Sequence, residues 1–393
     1  MTRLLVSTSR RHADQDQPSG HLFVYDLEKQ TILRQSEIIE PPYRNADPNP
    51  RGGFRGLKGI SIDGDQVAIA NASTVFLYDH NWQPITYFWH PSCSGIHDIN
   101  LINDQIWVTS SRNDLLLCFD KQGSIVRHYD LRKSKIVKAL APRRLRPLFT
   151  DQQVLSGKFD FRDPRTHDLA ITDTLHINSL AFLDNGDLLI SCGLFRVVDK
   201  LQLHKLNNFL KMHPLLNRIP GIIRKIKPVM IRKDKEGPFE AAPISSKQSF
   251  SLLLRIDQND YQQPGLMLTD CKYPSHSIRI LQDRSALYLN TTSGEIVHFN
   301  PITNEILSET KIGTNFLRGA RQLPDGSLMV GDNNFLIHFD LENQQVISKL
   351  PLTEDVAEAV FDINILPQYF ELPPLSFVKL HERFLPVEQE KRT

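Results

Sequence analysis

The sequence HSIRILQDRSALYLNTTSGEIVHFN, residues 276–300, returns in altered form as RGARQLPDGSLMVGDNNFLIHFD, residues 318–340. Each copy opens with a basic residue, and its third apolar run ends in an aromatic residue followed by Asn or Asp. The two openers, His276 and Arg318, are 42 residues apart. A repeat of this length that is made of short strands is typical of the blades of a β-propeller.

Three further copies precede these two, and their openers are Arg55, His97 and His176. In most copies a short alternating stretch follows the opener and leads into a turn of Asp with Gly or Asn, as in Asp325-Gly326. Such dipeptides suit the positive φ angles of tight hairpins. Runs of 4 to 8 residues between turns of this kind predict four antiparallel strands in each copy.

The two ends of the chain supply a sixth blade. Residues 4–10 (LLVSTSR) and 20–35 (GHLFVYDLEKQTILRQ) have the pattern of a second, third and fourth strand without a first. Near the C-terminus, residues 361–364 (FDIN) parallel residues 97–100 (HDIN) and indicate a first strand with nothing after it. We therefore predict an all-β fold, a six-bladed β-propeller of residues 1–393 closed by pairing of its C-terminal strand with the N-terminal strands.

The composition indicates an ordinary globular protein, with 40% hydrophobic residues, 23% charged residues and a net charge of +1. This balance argues against nucleic acid as a partner, and no apolar stretch reaches the roughly 18 residues of a transmembrane helix. The N-terminal apolar stretch is too short for a signal peptide, and the four cysteines have no paired spacing. We expect a cytoplasmic, reduced protein.

Two insertions interrupt the repeat, a loop at 132–175 and a basic, partly helical segment at 195–248, and residues 368–393 form a C-terminal tail. Residues 196–236 contain eleven Lys or Arg and three Asp or Glu. A basic amphipathic helix there would make the protein peripheral to a membrane or bind a protein partner. The alternative is a helical cap whose apolar face packs on the propeller while its lysines remain in water.

The basic openers predict a site on the propeller axis, because the first strand of each blade lines the central channel. We expect Arg55, His97, His176, His276 and Arg318 to meet at one mouth, with Phe361 in the sixth position. Arginine binds sulfate, phosphate or carboxylate through two hydrogen bonds, and histidine transfers protons, ligates metals or attacks as a nucleophile. The alternative is that each opener only bonds neighbouring backbone at the start of its blade.

Residues beside the openers extend the predicted pocket. Asp98 and Asn178 closely follow their histidines, and we expect them to contribute to substrate binding. Asp173 lies on the loop that enters the His176 strand and is a candidate to orient His176, or to form an Asx turn. Arg279 and Arg321 each lie three residues after an opener and are expected to point elsewhere.

The stretches DTLHINSLAFLDNGDLLIS (173–191), YPSHSIRILQDRSALYLNTTSGEIVHFNP (273–301) and FLRGARQLPDGSLMVGD (316–332) carry a family resemblance. They resemble a bacterial family of uncharacterised propeller proteins, common in cyanobacteria, whose corresponding stretches carry His-Leu-Asn-Gly, Pro-His-Ser-Pro and Arg-Gly-Leu. The resemblance covers about half the chain and all the openers. It implies the propeller fold and no known activity.

A more local resemblance concerns residues 176–179, His-Ile-Asn-Ser, which are similar to the His-x-Asn-Ser strand opening of the arylsulfotransferase propellers. That resemblance implies a nucleophilic His276, with His97, His176 and Arg318 holding the transferred anionic group. The context of His276 departs from the pattern of those enzymes.

The main hypothesis is an axial His/Arg pocket that binds an anionic small molecule or glycan, with group transfer or elimination as its chemistry. In that hypothesis a transferase or lyase uses His176, His276 and His97 in catalysis, and Arg55, Arg318, Asn178 and Asp98 in substrate binding. A second hypothesis is a divalent metal held by His97, His176 and His276, against which the neighbouring arginines argue. A third is a non-catalytic scaffold that uses its insertions to bind a protein partner or a membrane surface.

Overall fold

The computed structural model describes residues 1–11, 19–38, 56–90, 92–134, 137, 175–196, 249–257, 265–272 and 274–378. These residues form six antiparallel sheets of four strands each. The all-β, six-bladed β-propeller predicted from the repeat is thereby confirmed. Apart from Phe195 and Arg196, which belong to a strand, the predicted helical insertion lies outside the described residues, as do most of the loop insertion and the end of the tail.

The strands of the six blades follow the chain in order. Blade 1 contains β1 (Arg3–Arg10), β2 (Leu22–Asp26) and β3 (Thr31–Gln35). Blade 2 contains β4 (Gly59–Asp63), β5 (Gln66–Ala70), β6 (Thr74–Asp79) and β7 (Pro84–Trp89). Blade 3 contains β8 (Ile96–Ile102), β9 (Gln105–Ser110), β10 (Leu115–Phe119) and β11 (Ile125–Asp130). Short 3-10 helices at Ser111–Asn113 and Leu131–Lys133 belong to this blade.

The second half of the molecule repeats the arrangement. Blade 4 contains β12 (Ile177–Phe182), β13 (Leu188–Arg196), β14 (Ser249–Ile256) and β15 (Gly265–Cys271). Blade 5 contains β16 (Ser275–Ile280), β17 (Ala286–Asn290), β18 (Glu295–Phe299) and β19 (Ile306–Lys311). Blade 6 contains β20 (Leu317–Gln322), β21 (Leu328–Asp332), β22 (Phe335–Asp340) and β23 (Gln345–Pro351). The chain ends its strands with β24 (Glu358–Leu366).

The C-terminal strand completes blade 1, as the sequence predicted. β24 pairs antiparallel with β1, from Arg3 opposite Leu366 to Arg10 opposite Glu358. Residues 368–378 of the predicted tail then pack on blade 2, where Trp82 donates its indole N–H to the Glu371 carbonyl at 2.9 Å. Joining the two ends of the chain in one sheet removes the free edges that an open ring would expose.

The hydrophobic core is divided among the junctions between blades. Each of six buried clusters in the described part of the chain combines residues of two neighbouring blades, such as Trp107 of blade 3 with Ile190 of blade 4. Alternation along each strand sends one set of side chains to each neighbour. This packing fixes the blades around the axis and therefore fixes what their first strands bring together.

The first strands of the blades, β4, β8, β12, β16, β20 and β24, pack against one another in that order and close on β4. In all but β4, the register against the second strand shifts near the opener, which marks a β-bulge. A bulge inserts an extra residue and re-aims the adjacent side chain. Five of the six first strands thus start with a local distortion at the level where the basic openers lie.

Among the described residues, no helix has the length and apolar character needed to cross a membrane.

Candidate functional site

Four of the predicted openers meet at one end of the axial channel. The rings of His97 and His176 are 5.0 Å apart, and those of His97 and His276 are 6.2 Å apart, between centroids. The Phe361 ring lies 5.9 Å from that of His97 and 4.6 Å from the Arg318 guanidinium carbon. We call this layer of residues around the axis the histidine ring. It comprises Lys58, His97, His176, His276, Arg318 and Phe361.

Blade 2 contributes Lys58 to this layer. Its Nζ lies 4.5 Å from the centre of the Phe361 ring. Arg55, which the sequence spacing placed here, lies outside the described residues. The 42-residue spacing between openers leads to a position three residues before Lys58. Lys58 stands eight residues before the start of β5, as His97 stands eight residues before the start of β9. The distance to the second strand was therefore the signal that could have identified Lys58.

The tautomers of His97 and His276 are fixed by hydroxyl groups behind them. Ser111 Oγ lies 2.7 Å from His97 Nδ1, and Thr291 Oγ1 lies 2.7 Å from His276 Nδ1. Each hydroxyl donates its one hydrogen to a carbonyl of the next blade, that of Ile177 or Leu317, so it must accept from the imidazole.

The neutral forms of both rings therefore carry hydrogen on Nδ1 and present the lone pair of Nε2. The Gly95 carbonyl, 2.8 Å from His97 Nδ1, requires the same tautomer, since a carbonyl only accepts. Ser111 and Thr291 were not predicted from the sequence. Ser111 stands 14 residues after His97, and Thr291 stands 15 residues after His276. Both directly follow the second strand of their blade, β9 or β17, and this shared position is the signal that could have identified them.

The backbone at His176 is held by an acidic residue of the preceding blade. Asp114 accepts hydrogen bonds from the backbone N–H groups of Leu175, at 2.8 Å, and His176, at 3.2 Å. The Asp114 carboxylate is fully buried and paired with Arg132 at 2.6 Å. His176 has a φ of 51°, a left-handed conformation that a non-glycine residue adopts only with support. Asp173, the predicted orienting residue, lies outside the described residues.

Arg318 enters the ring with polar atoms that lack partners. Its Nε and Nη1 are buried and have no hydrogen-bond partner in the described part of the chain, and the same holds for His276 Nε2. Its guanidinium carbon contacts the faces of Phe361, at 4.6 Å, and Phe316, at 5.0 Å. An aromatic face attracts a cation but accepts no ordinary hydrogen bond. Buried polar groups are nearly always hydrogen-bonded, so these atoms are exceptions.

The electrostatics of the ring favour the neutral imidazoles. Burial, with the positive charges of Lys58, His176, Arg318 and His276, holds the pKa of His97 well below its ordinary value. Burial and the charges of Arg318 and His176 likewise lower the pKa of His276. Burial and the Arg11 charge lower the pKa of Arg318 to about 9. An anion at this position would relieve the repulsion and bring these pKa values back up.

Deeper in the channel lies a second layer, whose charged residues form ion pairs with one another. Arg279 of blade 5 bonds Asp362 of blade 1 at 2.7 Å and Asp98 of blade 3 at 3.3 Å. It also donates to the Ala320 carbonyl at 3.1 Å and the Ile278 carbonyl at 2.8 Å. We call Asp98, Arg279 and Asp362 the ionic layer. These three residues come from alternate blades, so their bonds span the axis beneath the histidine ring.

The carboxylates of the ionic layer also tie neighbouring blades together. Asp98 accepts from the backbone N–H of Ile99 and of Leu180 in the next blade, and Asp362 does the same with Ile363 and Ile60. Burial raises the pKa of Asp98 to about 7, with the Arg279 charge opposing the rise and that of Asp362 adding to it. Although burial opposes it, the two carboxylates raise the pKa of Arg279. Asp98, predicted to bind substrate, thus has both oxygens engaged within the protein.

A small cavity separates the two layers. Its lining residues come from both: His97, Asp98, Asn178, Ser179, His276, Ser277, Arg279, Arg318, Phe361 and Asp362. The cavity volume is about 10 Å³, measured by the positions that the centre of a water molecule can take. This gives room for about one water molecule. Asn178 donates to the Ser275 carbonyl at 2.8 Å, and its Oδ1 has no partner within the described residues.

The predicted metal site does not fit this arrangement. No group of three or more His, Cys, Asp or Glu within the described ranges has the geometry to hold a metal ion. Lys58 and Arg318 flank the three imidazoles and would repel a divalent cation. The donors present therefore suit an anion better than a metal.

Comparison with known proteins supports the fold. Over 93% of its length the chain resembles a chain of a solved nidogen/laminin complex, with 10% identity, coverage of 99% of that chain and a TM-score of 0.53. It is similar to a protein of unknown function from Bacteroides caccae, with 9% identity, coverage of 92% and 97% of the two chains and a TM-score of 0.48.

A streptogramin B lyase also resembles it, with 11% identity, coverage of 77% and 71% and a TM-score of 0.43. Of these, the likeness to the chain of the nidogen/laminin complex supports the fold, and at 10% identity it shows the fold alone. No family model and no curated sequence matches, so the two family resemblances remain predictions, and the chain is placed among the β-propellers by its fold.

Proposed function

We propose that the histidine ring binds the anionic group of a small molecule or glycan. The observation that carries the proposal is the pair of buried, unpartnered N–H donors of Arg318, Nε and Nη1, in the described part of the structure. A guanidinium offers two parallel N–H groups to a sulfate, phosphate or carboxylate. Lys58, buried beside Phe361, supplies a second positive charge.

The dimensions of the channel limit how the ligand enters. Since the cavity below the ring admits about one water-sized atom, only one oxygen of the anionic group fits beneath the ring. The ionic layer closes the channel at that depth, because Arg279 is bonded on both sides. The body of the ligand must then lie at the open mouth, where His97, His176 and Arg318 are partly exposed.

The proposed chemistry follows from the fixed tautomer. Thr291 keeps hydrogen on Nδ1 of His276, so the neutral ring presents Nε2 as an electron pair. Such a nitrogen attacks a bound phosphoryl or sulfuryl group while the bond from that group to its ester oxygen breaks and the oxygen leaves with the electron pair. In an elimination it instead removes a proton from a bound substrate while a leaving group departs from the neighbouring carbon. The cations beside it stabilise the negative charge that either reaction develops.

Calorimetric titration with inorganic sulfate or phosphate at about 0.15 M ionic strength tests the binding proposal. We expect the wild-type protein to bind one anion and Arg318→Met to bind at least about tenfold more weakly. Arg284→Met is the matched control, because Arg284 is an exposed surface arginine paired with Asp184. Equal affinities of the wild type and Arg318→Met, or no binding to the wild type, would overturn the proposal.

A further inference from the structure

Arg11 extends the positive charge of the histidine ring outward. It follows β1, and its backbone N–H donates to the Ala357 carbonyl at 2.7 Å. Its guanidinium carbon lies 4.4 Å from the centre of the Phe316 ring, and its Nη1 donates to Asn333 Oδ1 at 3.2 Å. Arg11 comes from blade 1, whereas Phe316 and Asn333 belong to blade 6. The contact therefore spans the junction between those two blades.

Cations and aromatic rings alternate across this part of the mouth. Phe316 contacts Arg11 and Arg318, and Phe361 contacts Arg318 and Lys58, all within 5.0 Å. The resulting stack is Arg11, Phe316, Arg318, Phe361 and Lys58. Aromatic faces hold the cations in place and leave hydrogen-bond donors of the guanidinium groups available to a ligand.

The charges around Arg11 are already matched. Arg10 pairs with Asp355 at 2.9 Å, Lys349 with Asp332 at 3.0 Å, and His21 with Glu358 at 2.8 Å. Arg11 and Arg318 have no carboxylate within ion-pair distance among the described residues. Burial lowers the pKa of Arg11, and the Arg11 charge contributes to the lowered pKa of Arg318. These two guanidinium groups thus repel each other and have no counter-ion in this part of the protein.

We propose that Arg11 forms a second anion subsite, so that the ligand of the axial site carries two linked phosphoryl groups, as a diphosphate does. One group occupies the histidine ring, and the other lies farther out, at Arg11. Because both guanidinium carbons lie within 5.0 Å of the Phe316 centre, the two subsites are neighbours. Because the two phosphoryl groups are covalently linked, the second group binds in an intramolecular step, and the affinity for the complete ligand rises. The inference rests on the proposed function of the axial site.

Titrations with orthophosphate and pyrophosphate, at about 0.15 M ionic strength, test the second subsite. We expect the wild type to bind pyrophosphate at least about tenfold more tightly than orthophosphate. In Arg11→Met that preference falls to within about twofold, while the affinity for orthophosphate stays close to wild type. Arg10→Met is the matched control, because the neighbouring Arg10 is paired with Asp355, and it keeps the preference.

The outcomes separate the two proposals. Orthophosphate binding without a preference for pyrophosphate in the wild type overturns the second subsite and leaves the axial site standing. A preference that survives in Arg11→Met overturns it too. If neither anion binds the wild type, both proposals fail. The wild-type comparison alone decides the matter if Arg11→Met does not fold.

Discussion

Two adjacent layers of the axial channel differ in whether their buried arginine has a counter-ion. In the ionic layer, Arg279 lies between Asp98 and Asp362 and also bonds two backbone carbonyls. In the histidine ring, Arg318 is held by aromatic faces and leaves Nε and Nη1 without a partner in the described structure. Burying a cation without a counter-ion costs stability. The difference is what we expect if the ionic layer stabilises the fold and the histidine ring binds a ligand, as proposed.

Removing the cation of the ionic layer is the largest expected change. Arg279→Met leaves two buried carboxylates facing each other, and we expect a loss of about 3–5 kcal/mol in the free energy of unfolding. Equilibrium unfolding in urea measures it. Adding Asp98→Asn and Asp362→Asn to Arg279→Met should recover most of the loss, since amides need no counter-ion. If Arg279→Met is as stable as wild type, the contrast between the layers is wrong.

Removing the hydroxyl behind His276 has a smaller effect on stability. Thr291→Val takes the acceptor from His276 Nδ1 and the donor from the Leu317 carbonyl, and we expect a loss of about 1–2 kcal/mol. It also frees the other tautomer, which the ¹⁵N chemical shifts of the imidazole report. Thr291→Ser keeps the hydroxyl and should keep both the stability and the wild-type shifts. An unchanged tautomer in Thr291→Val would show that Thr291 does not fix the ring.

In the histidine ring, substitution of arginine by methionine should change the free energy of unfolding much less than it does in the ionic layer. Arg318→Met loses its contacts with Phe316 and Phe361 but is relieved of an unpaired buried charge. We expect its free energy of unfolding to stay within about 1 kcal/mol of wild type, measured in the same urea titrations as Arg279→Met. A loss as large as that of Arg279→Met would mean that Arg318 has a stabilising partner of its own.

Most of the histidine ring could be predicted from the sequence, because equivalent positions of a repeat occupy equivalent places in the fold. Openers at matching repeat positions occupy matching places on strands related by rotation, so His97, His176, His276, Arg318 and Phe361 meet as expected. Lys58 was missed because the 42-residue spacing between openers leads to Arg55, three residues earlier. Counting back from the second strand places Lys58 correctly, since Lys58 and His97 stand equally far before β5 and β9.

The ionic layer was harder to foresee for a different reason. Arg279 shares its position, three residues after an opener, with Arg321 of blade 6, and its partners Asp98 and Asp362 come from blades that are distant in sequence. The FDIN and HDIN segments did share an Asp, but nothing in one blade tells which residue of another will pair with it. Pairing across the axis depends on the assembled ring, and the sequence of a single repeat does not contain it.

The smallest expected effect is a dependence of anion binding on pH. Because the pKa values of His97 and His276 are lowered in the folded protein, the unfolded chain takes up these protons first. Stability from these residues is therefore present above the ordinary histidine pKa and is lost as the pH falls toward the lowered values. Sulfate that binds as proposed would pair with the protonated imidazoles and offset this loss. Sulfate is a suitable probe because its charge is constant over this range.

We expect the stabilisation by sulfate to grow by about 1 kcal/mol between about pH 7.5 and 5.5, measured by unfolding with and without sulfate at each pH. Asp98 titrates in the opposite sense, since its raised pKa makes its contribution largest in acid and smaller as the pH rises through about 7. The comparison with and without sulfate at one pH cancels that contribution. Arg318→Met, which lacks the guanidinium group proposed to bind the anion, should show little stabilisation by sulfate at either pH. A wild-type sulfate effect that is constant with pH would mean that the anion does not contact the histidines, and the contrast between the two layers would then rest on Arg318 alone.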